Sequence, residues 1–265
     1  MLRFKFLKTE LKINAPWKEG APLTTIKKRI GAKTRLVGGT RFVKDGVLDP
    51  SQVELLANAS LRSLDECKRV VLRWQRQGQS LADIYLNGIV PCARWLGCQW
   101  ASDALSFVDC HLANATLQQL LYEFSDEFLS EGNGVKTDFS VLLMTEPGSQ
   151  HGLGVFMLGE FFKQAGWQVT LAHPQDLSAI SDLLASDWFD AIGLSISTDR
   201  HLDLLSQTLP RMMMGSANPE APLFLGGPMA VVAPEKLNWT GALVFDLDAQ
   251  KTVASLTSRL RRSQS

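Results

Sequence analysis

Phe139-Ser140-Val141-Leu142-Leu143-Met144 and the loop that follows it, Thr145-Glu146-Pro147-Gly148-Ser149-Gln150-His151-Gly152-Leu153-Gly154, decide the fold of this chain. A short, almost wholly apolar run stopped by Pro and Gly, then a helical pattern over 152–165, reads as a buried parallel strand feeding a crossover helix. The same rhythm repeats downstream. Apolar runs at 167–172, 191–195, 222–225 and 242–245 alternate with helical patterns at 177–186, 200–214 and 249–262. Five such strands over 138–265 predict an α/β domain, a flavodoxin-like doubly wound five-stranded parallel sheet.

Upstream the period changes. From Asp49-Pro50-Ser51, Val53, Leu56, Ala57, Leu61, Leu64, Val71 and Trp74 recur at helical spacing, with Gly78 as the stop. A second helical stretch starts at Ser80, and Pro91 is expected to break or kink it. A third covers 101–129, with Leu105, Val108, Leu112, Ala115, Leu120, Leu121, Phe124 and Phe128 on one face. These stretches predict a helical, four-helix-type bundle over 49–131, joined through a linker at 132–137 to the sheet domain.

Residues 1–48 form a third region, irregular and rich in Pro and Gly. Within 1–44, twelve lysines and arginines stand against two glutamates, a balance of +10, so the remainder of this neutral chain carries −10. A basic arm on an acidic body points to an anionic partner, either DNA or the body itself. Hydrophobic residues make up 45% and charged residues 20%, which excludes fibrous and disordered classes. Cys67, Cys92, Cys98 and Cys110 form no CxxC pair, so zinc spacing is absent. With no leader pattern and no long apolar run, the chain is expected in the cytoplasm and off the membrane.

In a doubly wound sheet, ligands bind beyond the carboxyl ends of the strands at the topological switch point. Three features fall there: the loop from Glu146 to Gly154, the strand end Gly193-Leu194-Ser195-Ile196-Ser197, and Leu225-Gly226-Gly227-Pro228. The glycines of the first loop lack GxGxxG spacing, and no acid closes the second strand, which argues against a dinucleotide site. His173 and His201 carry no supporting motif and read as structural. Met212–Met214 reads as helix packing.

These residues resemble the cobalamin-binding module of methionine synthase and methylmalonyl-CoA mutase. That module has acid-x-His-x-x-Gly after its first strand, Ser-x-Leu after its third and Gly-Gly after its fourth. His151 and Gly154 match the first motif, Ser195 the second, and Gly226 with Gly227 the third. The resemblance implies that His151 ligates cobalt in place of the cofactor's own dimethylbenzimidazole. It also implies that Gly152, Ser195, Ser197, Gly226 and Gly227 line a slot for the displaced nucleotide tail. Ser149 stands where the module has its acid, and Ser197 where it has leucine, so the carboxylate that orients the histidine is missing. Both departures argue against a methyl-transfer or radical enzyme.

The helical half narrows the resemblance. Trp95-Leu96-Gly97-Cys98-Gln99-Trp100, Ser106-Phe107-Val108-Asp109 and Leu117-Gln118-Gln119-Leu120-Leu121 resemble the bundle of the AerR/PpaA regulators of bacterial photosynthesis genes. In B12 photoreceptors of the CarH type, a tryptophan is followed after nine residues by Glu-His over the upper cofactor face. Counting from Trp100 reaches Cys110-His111, so the histidine matches and the glutamate does not. The resemblance therefore implies a bundle capping the sheet domain, with Trp100 and His111 against the cofactor; simple core filling is the other reading of both. It further implies a non-enzymatic, light- or redox-responsive transcriptional regulator acting on a repressor of the CrtJ/PpsR type. The alternatives are a corrinoid carrier for a methyltransferase, and a haem-binding sensor of the same fold.

Overall fold

The computed structural model describes residues 48–132, 134–239, 241–245 and 248–263, which fall into two compact units dividing between Leu120 and Leu121. The basic arm lies outside the described residues.

The first unit is helical. α1 (Pro50–Ser60) starts where the sequence announces it: the Asp49 side chain accepts from Ser51 N, and Pro50 takes the first turn. The single stretch expected from Pro50 to Gly78 is two helices. α2 (Leu64–Arg76) is restarted by Ser63, whose hydroxyl accepts from Glu66 N. Ser63-x-x-Glu66 is a capping-box spacing, and it overrides the continuing apolar period. α1 and α2 bury Val53, Leu56, Cys67, Val71 and Trp74.

Pro91 does not break its helix. α3 (Leu81–Ile84) runs through a π-helical turn, Tyr85–Ile89, directly into α4 (Val90–Ala101). Val90 N reaches back five residues to Tyr85 O, and this extra residue sets Pro91 into the first turn of α4. There the missing N–H costs no hydrogen bond. Burial pushes the Cys67 thiol up to about 12 and raises the Cys92 thiol as well, as expected of inert, buried cysteines.

α5 (Phe107–Glu123) buries Leu120 and Leu121 as expected, but the start of the expected face is turned outward. Cys110, Ala113, Leu117 and Leu120 are buried, whereas Val108 and Leu112 are each 61% exposed. Leu105, Val108 and Leu112 share the helical period of Leu120 and Phe124, which places them inward on sequence alone. That period fits two faces of a helix this apolar, and only the packing partners choose between them.

The second unit begins with the end of α5 and α6 (Ser125–Ser130). Residues of this stretch pack on the sheet domain: the Phe128 and Phe161 ring centroids are 5.0 Å apart, and Gln164 Nε2 donates to Phe128 O. The sheet follows as β1 (Ser140–Thr145), β2 (Gln168–Ala172), β3 (Ala191–Ser195), β4 (Leu223–Gly226) and β5 (Ala242–Val244). Its order is β2-β1-β3-β4-β5 and every pair is parallel, the doubly wound order with its switch point between β1 and β3. The helices between strands are α7 (Leu153–Gln164), α8 (Leu177–Ser186), α9 (Leu202–Met214) and α10 (Pro228–Val232), with a 3-10 turn at Pro234–Leu237. α11 (Ala249–Ser263) closes the chain. Val141, Leu142, Leu143 and Met144 of β1 are all buried, because helices cover both faces of the sheet.

Candidate functional site

Register sets the site. Thr145 pairs with Ser195, and Ser195 with Gly226, so the last residues of β1, β3 and β4 form one row at the carboxyl edge. On the other side Met144 pairs with Ala172, so the row continues from Thr145 to His173. Thr145 Oγ1 lies 3.4 Å from His173 Nδ1.

The loop that carries His151 is laced to this row at several points. Glu146 N donates to Ser195 O, Gly148 N to Pro174 O, and Ser149 N to Glu146 O. The buried Glu146 side chain turns toward the β3 loop, where its Oε1 accepts from Ser197 N at 3.0 Å and Thr198 N at 3.2 Å. Glu146 thus joins the first two motif segments mechanically, a role that sequence reading missed. Removing it strands two backbone donors. Glu146→Ala is expected to cost about 1–3 kcal/mol of stability, read by denaturant unfolding of the full chain, with Glu146→Gln retaining most of it.

Ser149, in the place of the missing acid, accepts from His151 N at 3.2 Å. Its hydroxyl therefore shapes the turn through the backbone. His151 is exposed at the tip of this turn, and Gly152 caps α7. An imidazole on an anchored but exposed loop can reach a metal that brings its remaining ligands with it. Among the described residues, no group of three or more His, Cys, Asp or Glu side chains converges to hold a bare metal ion.

The two adjoining glycines do different work. Gly227 has φ +88, and a Cβ there would lie 2.6 Å from Ser195 Oγ and 2.8 Å from Ile196 N and O. It is needed for the close approach of the β3 and β4 ends. A Cβ on Gly226 would meet no atom within 4 Å. Gly226 thus faces open space beside the half-buried Ser195, and Gly154 is equally open. Ser197 is half-buried and held through its backbone. An exposed imidazole on the loop, with a hydroxyl and an open glycine in the strand-end row, has the donor types that the resemblance assigns to a cobalamin site.

In the helical unit, Trp100 and His111 both pack against Phe107. Ring centroids are 6.1 Å apart for Trp100–Phe107 and 4.0 Å for Phe107–His111. His111 is exposed, with Nδ1 3.3 Å from Phe107 O, so it is no core histidine. Trp100 is half-buried. The sequence signal for this contact is the spacing of four between Phe107 and His111.

A Rhodobacter capsulatus protein described as an uncharacterized 20.5 kDa protein in the bchF-crtJ intergenic region is 27% identical over 172 residues, 64% of this chain and 88% of that protein. The structure of the Methanosarcina barkeri monomethylamine corrinoid protein superimposes with a TM-score of 0.56 at 12% identity. The match covers 78% of this chain and 96% of that one, a likeness of fold. Residues 140–256 match the family model described as the B12 binding domain, and the whole strand-end row lies inside this segment.

Proposed function

We propose that the protein binds cobalamin with His151 as the lower cobalt ligand and works as a non-catalytic, cytoplasmic regulator of transcription. One observation carries the binding site: the His151 loop, Ser195 and Gly226 converge on one strand-end row inside the segment that matches the B12 binding domain. Bound cobalamin would supply a cobalt centre whose upper ligand responds to light or redox state. The chain's own part is to hold the His151 loop through Glu146, Gly148 and Ser149, and to keep the space over Gly226 open. The regulatory half of the reading draws on the relative named for its place beside crtJ, and on the resemblance to regulators that act through a repressor of the CrtJ/PpsR type.

A corrinoid carrier for a methyltransferase is the second reading, favoured by the fold likeness to the monomethylamine corrinoid protein. Neither the family match nor that structure favours haem. Protein purified in darkness is expected to hold about one corrinoid per chain, the stoichiometry of a single doubly wound site, and to change both its spectrum and its repressor affinity on illumination. A haem Soret band without corrinoid uptake overturns cobalamin binding. Corrinoid binding with methyl transfer from a partner enzyme, and no light-dependent repressor affinity, moves the function to the carrier.

The arm is assigned to the partner. Removing residues 1–44 takes away a balance of +10 and is expected to leave cobalamin uptake unchanged while weakening repressor or DNA binding. Contact with DNA would show as affinity falling steeply between two salt concentrations, because each neutralised phosphate releases counterions. Loss of cobalamin uptake alone would place the arm elsewhere. Among the described residues no helix is long and apolar enough to cross a membrane.

A further inference from the structure

His173 has no motif of its own, yet the structure sets it at the end of the strand-end row, opposite Thr145 and beside the His151 loop. A Cβ built on Gly152, the residue next to His151, would lie 2.8 Å from His173 Cε1 and 3.4 Å from its Nε2. The imidazole therefore rests on the backbone of the residue that both follows His151 and caps α7. The segment bearing His173 holds the loop a second time, through Gly148 N to Pro174 O at 2.9 Å. Thr145, buried at the end of β1, orients the ring from the other side.

We infer that His173 is a positioning residue for the cobalt ligand: its ring is the stop against which Gly152, and through it His151, is set. This rests on the reading that His151 ligates cobalt. The conventional device for orienting such a ligand is a carboxylate bonded to its other ring nitrogen. Here the acid position is Ser149, whose hydroxyl accepts from the His151 backbone. A packed ring against the adjoining glycine constrains the loop by contact instead. It acts on the geometry of coordination, while the tail slot at Gly226 governs uptake.

The test uses the full chain, reconstituted with cobalamin and reduced to the divalent cobalt state. Histidine is isotopically labelled so that the electron paramagnetic resonance signal of a protein imidazole is told apart from dimethylbenzimidazole. His173→Ala is expected to lower the equilibrium constant for histidine coordination about tenfold, the low end for losing an outer-shell partner. Uptake should weaken by no more than that factor, and melting temperature should change little, since the side chain is exposed. His173→Asn, which keeps a polar atom near the Nδ1 position, recovers part of the loss. Gly152→Ala, which drives a methyl group at the ring, shifts coordination in the same direction. The double variant is less than additive because both changes act on one contact. Wild-type coordination in His173→Ala, or strict additivity in the double variant, overturns the inference while His151 keeps its role. Absence of a labelled-histidine signal in the wild type overturns the ligand reading, and this inference with it.

Discussion

A tryptophan at position 226 is expected to abolish cobalamin uptake and leave the chain folded. Gly226 ends β4 in register with Ser195, and a Cβ there points into space with no atom within 4 Å. The first carbon of a side chain at that position meets no neighbour, so the sheet is not forced to rearrange around it. In the loaded protein the same room is needed for the displaced nucleotide tail, and both cannot occupy it. Loss of binding by at least about 100-fold, close to 3 kcal/mol, with helical content and melting temperature unchanged, is the expected result. A variant that folds and still takes up cobalamin normally places the slot elsewhere. Gly227 is the control. Its φ of +88 with ψ −172 is a backbone region held almost only by glycine, and a Cβ would strike Ser195 and Ile196. Gly227→Ala should therefore destabilise the domain by about 1–3 kcal/mol before any effect on the ligand is read. Adjacent glycines of one motif thus separate into a ligand position and a packing position.

The sheet was legible because a parallel strand covered by helices on both faces is a short, nearly continuous apolar run. All five expected strands match observed ones to within one residue at each end. Once the strand ends are known, Ser195 and Gly226 fall into one row with Thr145, and the loop after Thr145 carries His151. What escaped is information that resides in partners distant in sequence. Glu146 meets N–H groups 51 and 52 residues away, and a lone loop acid gives no hint of them. His173 gains its meaning only from β1–β2 register and the absence of a Cβ at Gly152. The inward face of α5 was chosen by contacts that the period alone could not select. The division between α1 and α2 was readable, since Ser63 and Glu66 have capping-box spacing, but the apolar period was given precedence.

His151→Ala should remove the lower cobalt ligand without unfolding anything. The side chain is exposed, and the bond to Ser149 Oγ uses the backbone N–H, which alanine keeps. The anchors at Glu146 and Gly148 do not involve the imidazole. The variant therefore presents the same slot with an empty axial position. Removing an outer-shell partner already costs roughly 10–100-fold in metal affinity, so losing the ligand itself should cost at least that. Cobalamin that still binds must satisfy its lower face with water or with its own dimethylbenzimidazole. The latter competes with burial of the tail near Gly226, so His151→Ala and Gly226→Trp act on linked steps and their effects should not simply add. The measurement is an absorbance titration with cobalamin, followed by the spectrum of the bound form. Weakened binding with a water-ligated or base-on spectrum is the expected outcome. Unchanged affinity with an unchanged spectrum would remove His151 from the cobalt and leave the strand-end row to bind its ligand some other way.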